Sequence, residues 1–388
     1  MTNRAGGAPR PSILHINTER TWRGGESQAF QLMTGLKAAG HHVAVAALPA
    51  SALATRCREA GIEVFEVAMA GDLDVGGASR VARFARSSGA GSNGGFDILH
   101  AHTARAHAIG LLARLLGAPG RLVVHRRLDF AVSRNFFGRL KYRSPRVDLY
   151  LAVAGVIRDI LVDAGVPAEK VRVVNSSIDL ARFEDARSRR ADLGGEVRRE
   201  LGLPEGAPIL GNVAALASHK SQRDLIEAMP AILAAHPQAH LVIVGDGKER
   251  ADLEGRALAL GLTGRIHFTG FRSDIPRLLT AFDVFAMSSR LEGFCNSVLE
   301  AFAVGIPVVA TRAGGLPEMV FDGETGLLTP VGDPPALAAA TSRLLKDTDL
   351  GRRLATAGRR LVESEFTVER MVERTRSAYA ELLASPRR

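Results

Sequence analysis

Short apolar runs alternate with amphipathic stretches along most of this chain. In its first half the runs fall at 12–16, 43–48, 64–67, 98–101, 122–124, 149–153 and 171–174, and stretches between them such as 26–39, 51–60 and 104–116 repeat apolar residues at helical spacing. Apolar runs without polar alternation predict strands covered on both faces. Strand and helix in turn predict a doubly wound parallel sheet. The alternation lapses from about 180 to 206, where ARFEDARSRRADLGGEVRRELGLPEG is charged and short of apolar runs. It resumes with strands predicted at 209–213, 241–244, 266–268, 284–287 and 308–310, and a last helix is predicted at about 368–383. Two α/β domains follow, 1–183 and 207–365, with a linker at 184–206 and a terminal segment at 366–388. Ligands of open parallel sheets bind beyond the carboxyl ends of the strands, so two such domains facing each other predict a central cleft.

Composition agrees with two cores. A chain of 388 residues with 46% hydrophobic residues and 40 glycines is too long for one ordinary domain and suits many tight strand–helix turns. Cys57 and Cys295 are the only cysteines and lack metal-ligand spacing, which points to a reducing, cytoplasmic setting and to two small buried hydrophobes. The first residues, MTNRAGGAPRPSILHIN, hold only about five in an apolar strand, and no later run approaches 18 apolar residues, so neither a signal peptide nor a membrane span is expected. The net charge of +9 would draw the chain to anionic lipid, nucleic acid or phosphorylated substrates without choosing among them. Part of it lies in solvated stretches, from Arg187 to Arg199 and at Arg387 and Arg388.

The segment EGFCNSVLE places Glu292 and Glu300 on either side of an expected helix start. Asn296 and Ser297 are preferred N-caps, Val298, Leu299, Ala301 and Phe302 begin an apolar helix, and Gly305-Ile306-Pro307 ends it. Free amides at such a start can hold a diphosphate, Glu300 can accept hydrogen bonds from sugar hydroxyls, and Gly293 permits close backbone approach. The plainer reading makes Ser297-x-x-Glu300 a capping box and Glu292 a solvated loop acid.

The surrounding run, SSRLEGFCNSVLEAFAVGIPVVATRAGGLPEMVFDGETGLL, closely resembles the signature of retaining glycosyltransferases of family 4, a GT-B group in which E-x7-E marks the nucleotide-sugar site. The likeness extends more weakly over nearly the whole chain. It implies a GT-B fold of two Rossmann-like doubly wound domains, a terminal helix crossing back to the first domain, and transfer of a sugar with retention. Glu292 with the Gly293-Phe294 backbone would orient the sugar, and Asn296, Ser297, Val298 and Glu300 would line the donor site. The segment GNVAALASHKSQRDLIEA resembles the family's G-R-L-x-x-x-K-G element. Lys220 matches the lysine that counters the donor diphosphate, Ala214 and Ala215 stand where the arginine is expected, and Ser221 stands where the glycine is. His219 or Arg272 would supply part of the missing charge.

In the first domain Gly24 and Gly25 open a helix, where paired glycines let backbone amides approach a phosphate or sugar, and the family has a glycine-rich loop there. Trp22, the only tryptophan, reads equally as a platform for an acceptor and as an interface anchor. DILHAHTARAHAIG carries His100, His102 and His107; its H-x-H lacks an acidic or thiol third ligand, which argues against zinc, and His102 or His100 is expected to line the cleft. VVHRRLDF departs from the family's T-x-H, so either His125 or Arg127 takes the place of the histidine that contacts the transferred sugar; an arginine there would favour an acceptor phosphate or carboxylate. The segment FAVSRNFFGRLKYR mixes Phe136 and Phe137 with Arg134, Arg139, Lys141 and Arg143, suited to an anionic membrane surface or to an ordinary amphipathic helix. Asp72-Leu73-Asp74 has the form of a metal-binding D-x-D, but it lies in a loop after the third strand.

The leading expectation is a cytoplasmic, metal-independent glycosyltransferase, in peripheral contact with the membrane, that uses a UDP-, GDP- or ADP-sugar as co-substrate and no other cofactor. Its acceptor would be lipopolysaccharide core, envelope polysaccharide or glycolipid. A GT-B sugar-nucleotide epimerase or phosphorylase is the alternative. A nucleic-acid-binding protein ranks last, for want of a recognition motif.

Overall fold

The computed structural model describes residues 10–88, 91, 94–127, 132 and 136–386; Arg134, Arg387, Arg388, the first nine residues and the side chains of Phe136 and Phe137 lie outside the described residues. The chain forms two compact units, residues 1–176 with 368–388 and residues 177–367.

Unit 1 is built on seven parallel strands, β1 Ile13–Ile16, β2 Val43–Ala47, β3 Glu63–Glu66, β4 Ile98–Ala101, β5 Arg121–Arg126, β6 Leu149–Ala152 and β7 Val171–Val173, in the order β3-β2-β1-β4-β5-β6-β7. β1, β2, β4 and β6 are buried at every position, which is why they read as unbroken apolar runs. One face is covered by Leu32, Met33 and Leu36 of the helix Gly24–Ala38 and by Met371, Val372 and Tyr379 of the last helix, Val368–Ala384. Those helices touch closely: a Cβ on Gly35 would stand 2.4 Å from Val372 Cγ2. Each large apolar side chain buried in this layer contributes about 1.5–3 kcal/mol.

Unit 2 has six parallel strands, β8 Ile209–Val213, β9 His240–Val244, β10 Ile266–Gly270, β11 Val284–Met287, β12 Val308–Thr311 and β13 Leu327–Thr329, in the order β10-β9-β8-β11-β12-β13. β13 is not among the strands expected from the sequence. Leu225, Ile226 and Met229 of the helix Gln222–Ala235 and Leu337 of the helix Pro334–Lys346 pack on Leu241 and Ile243.

The charged stretch at 184–206 is no linker. It forms the helices Glu184–Ser188 and Arg190–Glu200 within unit 2, and the chain changes unit at 176/177 and 367/368. Two of its arginines reach backbone: Arg190 donates to the carbonyls of Gly305 (2.9 Å) and Phe282 (2.8 Å), and Arg198 donates to Ala281 O (3.0 Å) as well as to the Asp283 carboxylate (2.8 Å). Leu193 and Val197 bury between those anchors. Composition misleads here because guanidinium groups cap carbonyls as well as they face water.

In each unit the strand order reverses once, between β1 and β4 and between β8 and β11. Loops leaving two neighbouring strands in opposite directions open a crevice at such a switch point. Among the described residues no helix is long and apolar enough to cross a membrane.

Candidate active site

At the unit 2 switch point the loops after β8 and β11 are tied together. β8 leads into a single turn, Ser218–Lys220, and Ser221 follows in the left-handed region at φ 48°. The Ser288 hydroxyl donates to the carbonyls of Lys220 (3.0 Å) and Ser221 (2.9 Å), and the Arg290 amide donates to His219 O (2.7 Å). This brings the Lys220 ammonium onto the Glu292 carboxylate, to which Ser289 Oγ also donates at 3.2 Å. Glu292 is 8% exposed, so it is a buried, paired acid and not a solvated one. Its carbonyl accepts from the Gly315 amide at 2.9 Å, and Thr311 Oγ1 donates to Ser289 O at 2.6 Å, which holds the loop from below.

The following helix spans Asn296–Val304. Its N-cap is Cys295, without a side-chain cap bond, so Asn296 and Ser297 lie inside the first turn and the expected capping box is not formed. Buried Phe294 and Cys295 set the start one residue earlier than hydrogen-bonding preference suggests; Phe294 packs edge-on to Phe366 with ring centroids 5.3 Å apart. The amides of this turn lack the cap that Ser or Asn supplies, and Asn296 Oδ1 is buried without a partner. Val298 gives its side chain to the core and its amide to Cys295 O (3.2 Å), which leaves it no free group for a ligand. Glu300 is half-buried, and burial pushes its carboxyl up to about 7 against the pull of Arg182. Gly293 is buried between the two acids.

Arg272 is held elsewhere. Its guanidinium pairs with Asp274 (2.7 and 2.8 Å) and Glu200 (2.8 Å), and Arg277 joins the same two acids. These bonds raise its proton affinity and balance its charge. Arg290, whose amide is bonded to His219 beside Lys220, has its guanidinium paired with Asp224 at 3.2 Å. In unit 1 the Asp72-Leu73-Asp74 segment is likewise committed: Asp74 caps the helix Val75–Ser87 through Gly77 N (2.8 Å), and Asp72 pairs with Lys141 (3.3 Å).

The unit 1 switch point carries a different chemistry. β1 and β4 set His15 opposite His100, and β4 and β5 set Val123 opposite His100. Residues two apart on a strand share a face, so His102, His125 and Arg127 join His15 and His100 on one side of the sheet. His15 Nδ1 and His102 Nε2 are 2.7 Å apart, and Arg127 Nη2 is 3.1 Å from both His102 Nδ1 and His125 Nδ1. A guanidinium can only donate, which makes both Nδ1 atoms acceptors and places the protons of the neutral rings on Nε2. His102 then donates to His15. The Tyr379 hydroxyl, from the last helix, meets His100 Nδ1 at 2.6 Å.

Burial holds all four imidazoles well below their ordinary range, His15 at about 3, with Arg127 and the neighbouring rings acting in the same direction. Ligand atoms of His15, His100 and His102 lie within 4.8 Å of one another, a grouping that the H-x-H spacing alone does not reveal. The lone pairs of His102 Nδ1 and His15 Nδ1 are occupied by protons from neighbours, and a guanidinium adjoins the cluster; this donor set suits a proton-ordered network better than a cation.

Gly24 and Gly25 open the helix Gly24–Ala38, whose N-cap, Arg23, makes no side-chain cap bond, and a Cβ on Gly25 would stand 3.9 Å from Arg127 Cδ. Trp22 is packed, with Arg56 4.1 Å above its ring and Phe30 edge-on at 5.9 Å; it is an anchor within unit 1. His107 faces Tyr142, away from the four rings. His15, Ser289, Arg182 and Tyr379 are the residues that sequence reasoning missed. His15 was signalled only by its strand-end position in ILHI, beside ILHA of β4; Tyr379, 279 positions from its partner, left no local signal.

Comparison with known proteins agrees with both halves. Residues 195–361 match "Glycosyl transferases group 1", and residues 22–182 match "Glycosyltransferase Family 4". The 2-deoxystreptamine N-acetyl-D-glucosaminyltransferase of Streptomyces fradiae is 31% identical over 303 residues, 73% of this chain and 71% of that protein. The lipopolysaccharide core biosynthesis glycosyltransferase LpsE of Rhizobium meliloti is 37% identical over 188 residues, 48% of this chain and 53% of LpsE, so that match spans about half of the relative's length. Anabaena HepE, crystallised with UDP and glucose, superposes with a TM-score of 0.82 at 25% identity, over 96% of this chain and all (100%) of that one. The chain belongs to the family 4 glycosyltransferases and has the GT-B fold.

Proposed function

We propose that the protein moves a sugar from a UDP-, GDP- or ADP-sugar to an envelope polysaccharide, lipopolysaccharide-core or glycolipid acceptor, with retention at the anomeric carbon and without a metal ion. The observation that carries this reading is the meeting of Lys220 and Glu292 at the unit 2 switch point. Paired, the two neutralise each other. An arriving diphosphate draws the ammonium away and sits against the uncapped amides of Asn296–Val304, where partial positive charge is concentrated. Glu292, released, accepts hydrogen bonds from the sugar hydroxyls, and Glu300 accepts from the ribose.

In the transfer the bond from the anomeric carbon to the β-phosphate oxygen breaks, and the nucleoside diphosphate leaves with the electron pair. The acceptor hydroxyl forms the new bond on the same face and passes its proton to the leaving phosphate. The work is stabilisation of charge on the leaving group, which Lys220 and the helix start supply, so no metal is called for. UDP in the Anabaena structure and the lipopolysaccharide role in the name of LpsE support a uridine donor and an envelope acceptor. Leu73 and Leu140, 80% and 61% exposed, adjoin the Asp72–Lys141 ion pair beside Arg139, a surface suited to resting on anionic lipid.

Screening a panel of sugar nucleotides for nucleoside diphosphate release tests the reading. One donor is expected to be turned over, faster with membrane glycolipid extract, and EDTA is expected to change nothing. Release from no donor, with or without extract, defeats it.

A further inference from the structure

Two cationic receptors sit in this chain, and a diphosphate donor accounts for only one of them. In unit 2 the charge on Lys220 is balanced by Glu292 until a ligand arrives. In unit 1 Arg127 is not balanced by contact: its guanidinium donates to His102 O (3.3 Å) and to two imidazole nitrogens, all neutral acceptors. Among the described residues no carboxylate lies within ion-pair distance of it; Glu26, in the first turn of the helix Gly24–Ala38, acts on it from further off. Arg127 Nε is buried without a partner.

Along the hydrogen-bond network that Arg127 orders, the unused capacity is of one kind. With Nδ1 accepting from Arg127, the second nitrogen of His125 carries its proton, and that Nε2–H is buried and unpartnered on a side chain only 4% exposed. His15 is in the same state, because its Nδ1 accepts from His102. Three orphaned positions, Arg127 Nε, His125 Nε2 and His15 Nε2, are therefore all donors. An unmet buried donor is costly, and natural interiors seldom leave several of one sign together. Beside them the helix at Gly24 presents amides with no side-chain cap, and the Cβ position of Gly25 lies 3.9 Å from Arg127 Cδ.

We propose that the unit 1 switch point is a receptor for an oxyanion, a phosphate or carboxylate, carried by the acceptor, with Arg127 as its specificity-determining residue and His125 as its second donor. This rests on the transferase reading only in assigning the anion to the acceptor. A guanidinium suits either group, since each offers two oxygens to its fork. His102 and His125, fixed as acceptors by Arg127 itself, and His15, fixed through His102, hold the guanidinium in place without a countercharge that would compete with the ligand.

The test is calorimetric titration of the full chain, saturated with UDP, with inorganic phosphate and separately with acetate. One of the two is expected to bind at one site, at least tenfold more weakly in Arg127→Gln and severalfold more weakly in His125→Phe. Arg127→Lys, which keeps the charge and loses the fork, covers the case in which Arg127→Gln does not fold; an intermediate affinity is expected. Absence of binding by both anions in the presence of UDP overturns the inference, as does binding that Arg127 variants leave intact. Competition of the anion with UDP would assign the receptor to the donor and overturn it too. Donor turnover with no unit 1 anion sinks this inference alone, whereas anion binding without turnover of any donor sinks the transferase reading.

Discussion

The two switch points solve one problem, holding polar groups ready at the end of a buried sheet, by opposite means. Unit 2 uses a charge pair, Lys220 with Glu292, the lysine side chain 17% exposed and the glutamate 9%. Unit 1 uses proton placement on neutral rings, three of the four ordered by one guanidinium. A charge pair is strong and local, and it reopens when a more highly charged partner arrives. A network of neutral imidazoles is stiff only while none of them takes a second proton. The first should respond to mutation of either partner, the second to pH.

The largest expected effect breaks the unit 2 pair. Lys220→Ala leaves Glu292 buried and unpaired, which costs about 3–5 kcal/mol of stability, and removes charge stabilisation at the leaving group, which lowers turnover by about 10²–10³. Denaturant unfolding and nucleotide release measure the two. A variant as stable as the parent would show that the pair is not desolvated.

Acidification comes next and acts on unit 1. Each buried histidine has a folded pKa far below the unfolded value near 6.5, so the unfolded chain binds more protons between them. Stability is then full above about pH 6.5 and falls as pH drops, by up to about 1.4 kcal/mol per pH unit for each ring that stays neutral in the fold. Trp22 is the only tryptophan and lies in unit 1, so its fluorescence reports the right transition. A midpoint unchanged from pH 7 to pH 5 would remove the contrast between the units.

Glu300 sharpens the contrast from the other side. Its carboxyl, raised to about 7, favours the protonated form in the fold, so its cost to stability grows as pH rises from the ordinary value of 4.5 to about 7. Glu300→Gln is expected to stabilise the chain by about 1–3 kcal/mol above pH 7 and by nothing near pH 4. Donor affinity in the parent should change through pH 7 and in the variant should not. Equal stability of the two proteins at pH 8 would place Glu300 in water.

The smallest effect concerns how Lys220 is presented. Ser221 holds a left-handed conformation that costs a side chain about 1 kcal/mol, where the family resemblance expects glycine. Ser221→Gly relieves that strain and loses the 3.0 Å bond from Arg290 Nε to Ser221 Oγ. A net gain of about 0.5 kcal/mol is expected, read from the chemical denaturation midpoint. A loss would mean that Arg290 depends on the hydroxyl more than the backbone minds the angle.

Much of this was legible in the chain. Strands covered on both faces are apolar throughout, so β1, β4, β8 and β11 stood out within a residue or two. Glu292, Glu300 and Lys220 were legible through the likeness of their surroundings to family 4. What failed was what depends on partners. The arginine-rich stretch at 184–206 looked solvated because nothing local shows that Arg190 and Arg198 meet carbonyls near residues 282 and 305. The capping box at Ser297 and Glu300 looked plausible because local rules favour it, and the burial of Phe294 and Cys295 overrode them.

The sequence by itself determined the α/β pattern, the residues at the strand ends and the family, because periodicity and motif are properties of neighbours along the chain. Tertiary structure decided which strand ends meet. Only the order β3-β2-β1-β4-β5-β6-β7 sets His15 beside His100, and only the return of the last helix brings in Tyr379. Proton positions on three of the rings follow from one arginine that lies four strands after the first of them in sequence, and that is information a linear chain does not carry.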